Sequence, residues 1–382
     1  MRISQVRVKN WRNFRDIEFS LDRRLFIVGA NATGKSNLLD VFRFLKDIAT
    51  PGGGLTNAVE RRGGLKTIRN LNTRNYNKGQ IEIAVKLQDG EDVWSYTLAI
   101  IKEQAGLMRP IVVHEIVKHN DITLLERPNT ADDRDPELLT QTHLEQIASN
   151  SAFRNVAQLF ANANYFNPSP QNIRYSERGM RRVSANGDGL IAEMNDTRQR
   201  DRDSRLNKIQ QALAIAVPEF QSLDLEVDAS GQPHLVAGFK HWRAQPAKQR
   251  ESEFSDGTVR LIALLWAVLS QPKSDGTLLL EEPEISLNRE IVKRLPSMLA
   301  SAQRGKNMQV VMTTHSPDLL DDEGVDPSEV LVLTVGDQYT EARKLSECDR
   351  EMKLRQAGFS TSDVVSTLIN PSIGSEINGF VV

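Results

Sequence analysis

The chain has 382 residues, 39% of them apolar and 26% charged, with a net charge of −2. This composition supplies ample material for one large core or two ordinary ones, and it excludes nucleic-acid attraction spread over the whole surface. The lone cysteine, Cys348, excludes an intramolecular disulfide and a cysteine-rich zinc site, and neither a signal peptide nor a membrane-length apolar run is present, so a cytoplasmic protein without membrane association is expected.

In chain order, Val6 and Val8, then Ile17, Phe19 and Leu21, alternate with polar residues on either side of positions 10–13. This predicts two strands joined by a turn. The apolar run 25–28 follows, then Gly29-Ala30-Asn31-Ala32-Thr33-Gly34-Lys35-Ser36, which fits the phosphate-loop pattern G-x-x-x-x-G-K-[ST]. Apolar residues at 38, 39, 41, 42, 44, 45 and 48 predict a helix directly after it. Strand, loop and helix are therefore in register for nucleoside triphosphate binding. The glycines allow close backbone approach, successive N–H groups of residues 31–36 face phosphate oxygens, and the helix N-terminus adds partial positive charge. Lys35 would reach the β- and γ-phosphates, and the Ser36 hydroxyl would ligate Mg²⁺.

Gly52-Gly53-Gly54 and Gly63-Gly64 mark a flexible stretch. Alternation over 81–87, the Asp89-Gly90 turn and the run 93–101 predict a hairpin; 111–117 and 122–125 around Asn120-Asp121 predict another. Residues 1–135 thus read as half of a nucleotide-binding head with a largely antiparallel β lobe. Positions 136–160 read as helical, and Asn167-Pro168-Ser169-Pro170 breaks that pattern. Residues 173–217 are charged and helical in composition without a sustained heptad, and 223–227 with 234–239 form a further hairpin around Ser230-Gly231. We read 136–245 as a helical insertion or lid. From 246 to 382 helix and strand signals alternate as in a parallel α/β core: helix 258–270, strand 277–281, helix 288–303, strand 308–313, strand 329–335.

The strand 277–281 ends in adjacent carboxylates, Glu281 and Glu282. Ionised groups at a core edge must be paired or solvated. Beside Mg²⁺ and a triphosphate, Glu281 would hold the metal, and Glu282 would polarise the attacking water or take its proton. One helix further on, 310–314 lead to His315 on a Ser-Pro turn, where a neutral imidazole can hydrogen-bond the γ-phosphate or the attacking water; its spacing suits a strand at the sheet edge beside the same site. Between phosphate loop and carboxylates, Ser255-Asp256-Gly257 opens an apolar helix, a second N-terminus suited to phosphate through Ser255 and Gly257. One loop already cradles the phosphates, so this one would serve a second nucleotide or a second subunit.

Taken together, these motifs resemble the ABC-type ATPases of the SMC/RecF/OLD group, especially the compact prokaryotic AAA_21/AAA_15-type ATPases. The segment 8–15 is similar to their N-terminal "NFR" segment near the adenine, which implies base contacts for Arg12 and Asn13. Residues 29–36 resemble Walker A, 278–284 Walker B, Ser286-Leu287-Asn288 the D-loop, His315 the switch histidine, and Ser255-Asp256-Gly257 a degenerate signature without its second glycine. The Q-loop glutamine has two candidates, Gln80 and Gln171. The first Walker B acid is Glu281 where many relatives have Asp. The resemblance implies an α/β, ABC-type P-loop NTPase head, ATP and Mg²⁺ as ligands, ATP hydrolysis, and a homodimer or higher homo-oligomer sandwiching two nucleotides.

What the switch acts on is less legible. Arg174, Arg178, Arg181, Arg182, Arg198, Arg200, Arg202 and Arg205 form a candidate DNA patch, but the interspersed Glu177, Asp188, Glu193, Asp196, Asp201 and Asp203 suit a solvated, salt-bridged face. Three readings follow: a switch in bacterial anti-phage defence that works with a separate effector such as a nuclease; a RecF-like DNA-repair clamp; and a scaffold that binds ATP without hydrolysing it.

Overall fold

The computed structural model describes residues 1–70, 79–104, 106–176, 183–217, 219–240, 247–272, 275–336 and 338–369. In chain order, β1 (Arg2–Trp11), β2 (Phe14–Ser20) and β3 (Arg24–Gly29) lead to α1 (Lys35–Ala49) and two short helices, α2 (Leu55–Glu60) and α3 (Leu65–Ile68). Then come β4 (Ile81–Asp89), β5 (Asp92–Lys102), β6 (Pro110–His119), β7 (Ile122–Arg127), α4 (Thr130–Arg134), α5 (Arg154–Ala161), β8 (Ala163–Phe166) and α6 (Pro170–Arg174). A lobe of α7 (Leu190–Asp196), α8 (Gln199–Ala216), β9 (Phe220–Val227), β10 (Pro233–Phe239) and β11 (Ala247–Arg250) follows. The remainder is α9 (Asp256–Ser270), β12 (Gly276–Glu281), α10 (Arg289–Gln303), β13 (Met308–Thr314), β14 (Val330–Val335), β15 (Thr340–Lys344), α11 (Asp349–Gln356) and α12 (Thr361–Ile369).

Three sheets organise the described residues. The first, in order β2-β1-β4-β5-β6-β7, is antiparallel throughout, as the alternating sequence predicts. The second runs β15-β14-β3-β13-β12-β8, parallel except for the β14–β15 pair. The third, β11-β10-β9, is a small antiparallel sheet. Parallel strands are buried on both faces and so read as continuous apolar runs. In β3, Leu25 and Ile27 enter one core with α1 and the β lobe, while Phe26 and Val28 enter a second core with α8, α9 and α10.

Two expectations change. Residues 163–166, inside the range read as a helical lid, form β8 and pair in parallel with β12, so that range contributes a strand to the nucleotide core. Positions 136–160 are only partly helical, with a 3₁₀ turn at Pro136–Thr140 and α-helix only from Arg154. Side chains of a buried ionic cluster take the backbone groups a helix would have used. Arg127 donates to the carbonyls of Leu138 and Gln141 (2.8 Å each), and Glu115 accepts from the N–H groups of His143 and Leu144. Arg127 also pairs with Glu115 (3.2 Å) and Asp132 (2.6 Å), and all three side chains are buried. Removing one partner from such a cluster costs about 3–5 kcal/mol, because a charge is left unpaired.

Glu145 borders this cluster and accepts from the N–H groups of Thr142 and Leu55, pinning the start of α2. Burial pushes its carboxyl up from 4.5 to about 7, the two N–H groups opposing the shift and the charge of Glu115 adding to it. A carboxyl with a raised folded-state pKa binds its proton more tightly in the native state, so stability falls as pH rises between those two values. Glu145→Gln should flatten that decline in melting temperature whatever its effect on absolute stability. An unchanged slope between pH 4.5 and about 7 would remove Glu145 as its source.

Candidate functional site

β3, β13 and β12 are adjacent and parallel, so their C-terminal ends bring residues 29–36, His315 and Glu281-Glu282 to one edge of the sheet. His315 therefore follows a central strand, between the other two motifs, and not the edge strand that its spacing suggested.

Gly29 is required at the end of β3, since a Cβ there would lie 2.7 Å from the Leu333 carbonyl oxygen and from Thr33 Oγ1. The loop turns through Ala32 (φ +65°) and Gly34 (φ +97°), where a side chain would be strained and would press on Asn13 and Phe14. α1 starts without a side-chain cap and without an acid in its first turn. Its leading N–H groups and positive dipole end are thus left for an anion. Lys35 Nζ donates to the carbonyls of Gly29 (2.8 Å) and Ala30 (3.1 Å). Burial pulls its pKa down, and the charges of Glu282, Glu284 and Glu281 oppose that pull, so all three acids bear on the loop.

Glu281 spans the site: one carboxylate oxygen accepts from Ser36 Oγ and the other from the Tyr165 hydroxyl of β8. Arg43 of α1 lies over the Tyr165 ring, 4.1 Å from its centroid. Glu282 adopts φ +43°, and its N–H bonds the Thr313 carbonyl at 3.1 Å. Its carboxylate stands 3.4 Å from His315 Nδ1. Glu284 is buried; its Oε1 accepts from Thr314 Oγ1 (2.6 Å) and from the His315 N–H (3.1 Å), and burial raises its pKa. It thereby fixes the turn that carries the imidazole.

Of the seven described non-glycine residues with positive φ, five belong to the predicted motifs: Asn10, Arg12, Ala32, Glu282 and Ser286. Such conformations cost about 1–3 kcal/mol each and persist where surroundings over-determine them. An uncapped helix start, a lysine, and a serine hydroxyl facing a carboxylate fit a triphosphate with a divalent cation.

Arg12 and Asn13 lie against the first turn of α1, Arg12 on Asn37 (3.3 Å) and Asp40 (3.0 Å), Asn13 on the Ala32 carbonyl (3.3 Å). Asn31, Ala32 and Ser36 are at the mouth of the loop, with Asn31 and Ser36 exposed. Ser255 caps α9 by accepting from the Thr258 N–H (3.2 Å). Gly257 packs on the D-loop, where a Cβ would come within 2.5 Å of the Ser286 carbonyl oxygen. Among the described residues, no hydrogen bond or ion pair joins Ser255 or Gly257 to residues 29–36. Neither Q-loop candidate bonds the site through its side chain among the described residues: the carbonyl of Gln80 accepts from Asn10, and that of Gln171 from the Tyr175 N–H.

The proposed arginine patch is divided. Arg174 is held by the carbonyls of Glu251 and Phe254 and by Asp256, and Arg205 stacks on Trp266. Arg202 donates to the Asn195 carbonyl (3.3 Å). Arg198 and Arg200 are exposed, whereas Arg178, Arg181 and Arg182 lie outside the described residues.

Sequence reasoning missed Tyr165, Asn167, Arg260 and the role of Glu284. For Arg260 a signal existed, a charge inside an otherwise apolar helix. Tyr165 and Asn167 belong to a four-residue strand and the position after it, with no pattern to mark them.

This arrangement is an α/β P-loop NTPase fold, shared with SMC head domains. Residues 25–321 match the family described as "AAA domain, putative AbiEii toxin, Type IV TA system", and the chain belongs to that family. A solved Smc head bound to the C-winged helix domain of ScpA is similar over 91% of this chain and 100% of its own, with TM-score 0.58 and 14% identity, a likeness of fold. The SMC head domain from Thermotoga maritima matches with TM-score 0.46 and 14% identity, over 90% of this chain and 99% of its own. A Pyrococcus furiosus Smc head with an extended coiled coil, bound to the C-terminal domain of ScpA, matches with TM-score 0.48 and 13% identity, over 93% and 99%. No curated protein matches the chain in sequence. No helix among the described residues is long and apolar enough to cross a membrane.

Gly257→Ala should destabilise the fold by about 1–3 kcal/mol, as overpacking against backbone does. Urea unfolding measures this. A wild-type midpoint would mean that the α9–D-loop contact is loose in solution.

Proposed function

We propose that the chain is an ATP-binding and ATP-hydrolysing switch that closes as a homodimer around nucleotide. The observation that carries this reading is the meeting of Ser36, Glu281, Glu282 and His315 at three adjacent strand ends. Residues 31–36 would hold the phosphates, Ser36 and Glu281 the Mg²⁺, and Arg12 and Asn13 the base. The metal, when bound, supplies charge neutralisation on the phosphate oxygens. Glu282 accepts the proton of the attacking water, and His315, held by its N–H on Glu284, orients beside it. Ser255 and Gly257 have no bond to their own phosphate loop among the described residues, which supports their serving the nucleotide of a second copy.

The family's description, a putative AbiEii toxin of a Type IV TA system, supports a setting in bacterial defence, where we propose that the switch works with a separate effector such as a nuclease. The ScpA domain on the similar Smc head supports an effector that docks on the head. A RecF-like clamp on DNA is the second reading. The exposed Arg198 and Arg200 favour it, and the internal engagement of Arg174 and Arg205 weakens it.

Glu282→Gln should lower turnover about 10²–10⁴-fold, the usual contribution of a general base. ATP affinity should persist, and light scattering should show an ATP-dependent dimer. Unchanged turnover would remove Glu282 as the base, and a monomer at saturating ATP would remove the dimer. Reversing Arg198 and Arg200 to glutamate distinguishes the DNA reading, which requires a loss of ATP-dependent DNA affinity.

A further inference from the structure

Arg260 is a charged residue buried in the second turn of α9, 4% exposed among neighbours that are almost all apolar. Burying an arginine is unfavourable unless its N–H groups are bonded, and an apolar side chain of similar volume would serve packing as well. Its bonds all run to the catalytic edge of the sheet. Nη1 donates to the Pro168 carbonyl (2.6 Å); Nη2 donates to Asn167 Oδ1 (3.1 Å) and to the Glu282 carbonyl (2.8 Å). The last bond holds the backbone of a residue in a left-handed conformation.

Through Asn167 and Pro168, Arg260 holds the segment that directly follows β8, and Tyr165 stands two residues before Asn167 at the end of that strand. Tyr165 donates to Glu281, whose other oxygen takes the Ser36 hydroxyl. The Glu281 carboxylate thus has its orientation set from β8 on one side and from the phosphate loop on the other, while Arg260 Nη2 also reaches the Glu281 carbonyl (3.4 Å). At its N-terminal end α9 is seated on the D-loop through Gly257.

We propose that Tyr165, Asn167 and Arg260 are positioning residues that gear α9 to both Walker B carboxylates: Arg260 sets the backbone of Glu282, and by anchoring Asn167 and Pro168 it fixes the segment whose Tyr165 sets the metal-side carboxylate of Glu281. A displacement of the signature end of α9 is thereby felt at both acids. This rests on the ATPase reading above, from which its test can be separated.

The experiment compares wild type with Tyr165→Phe, Asn167→Ala, the double variant and Arg260→Gln in the full chain. The first readout is binding of a fluorescent ATP analogue in Mg²⁺ and in EDTA; the second is steady-state turnover. Tyr165→Phe keeps the ring under Arg43 and should leave affinity in EDTA unchanged while lowering the Mg²⁺-dependent gain about tenfold, as loss of an outer-shell partner does. The double variant should lose no more than the worse single, because the two residues act in series. Arg260→Gln should lower kcat about 10–100-fold with KM for ATP within about twofold. A full Mg²⁺ gain in Tyr165→Phe, or additive losses in the double variant, overturns the relay. Should Arg260→Gln fail to fold, the isosteric tyrosine variant still decides between these outcomes. A wild type that binds Mg²⁺ and nucleotide without turnover would defeat the hydrolysis reading alone, since the binding comparison still decides the relay.

Discussion

Two neighbouring carboxylates must be accommodated beside each other at the end of a buried strand. Like charges this close repel each other, and a core edge offers little solvent to relieve them. The fold separates them. Glu281 stays in strand geometry, on the same side as Leu279, and receives two hydroxyl donors from Ser36 and Tyr165. Glu282 leaves the strand through a left-handed turn and emerges beside His315. One acid is thus directed to the phosphate-loop serine and the other to His315, a division that suits the proposed metal ligand and proton acceptor.

The separation depends on parts far apart in sequence. Ser36 and Glu281 are 245 positions apart and meet because β3 and β12 flank β13. β8 completes the edge of that sheet and supplies Tyr165. The β lobe packs on the same core as α1, and its Arg127 cluster fixes the irregular segment that leads from β7 to α5 and β8. Disturbance of the buried cluster would therefore reach the site through the placement of β8, although no residue of the cluster touches a motif among the described residues.

Local pattern makes most of this legible. The phosphate loop, the apolar parallel strands and the alternating hairpins are all specified within ten or so consecutive residues, so periodicity and turn chemistry expose them. Residues 136–160 depart from the helical reading because their backbone is shaped by Arg127 and Glu115, partners that no local period encodes. β8 escapes for a related reason: four residues carry too little pattern to distinguish a strand from a loop. The site residues divide in the same way. Those in contiguous motifs are visible, whereas Tyr165 and Asn167 become functional neighbours only through pairing with β12.

The position of α9 then bears on how two copies could communicate. Ser255 caps its first turn, and Arg260, in the turn that follows, grips the backbone at Glu282. Its first turn also rests on Ser286, the D-loop residue that itself holds a positive φ. One element therefore joins Ser255, proposed to meet another copy's phosphate, with the backbone of Glu282, the proposed proton acceptor. In a dimer closed on nucleotide, a contact at Ser255 would act on the same helix that holds the Glu282 backbone through Arg260. Coupling between the two sites would then run along α9.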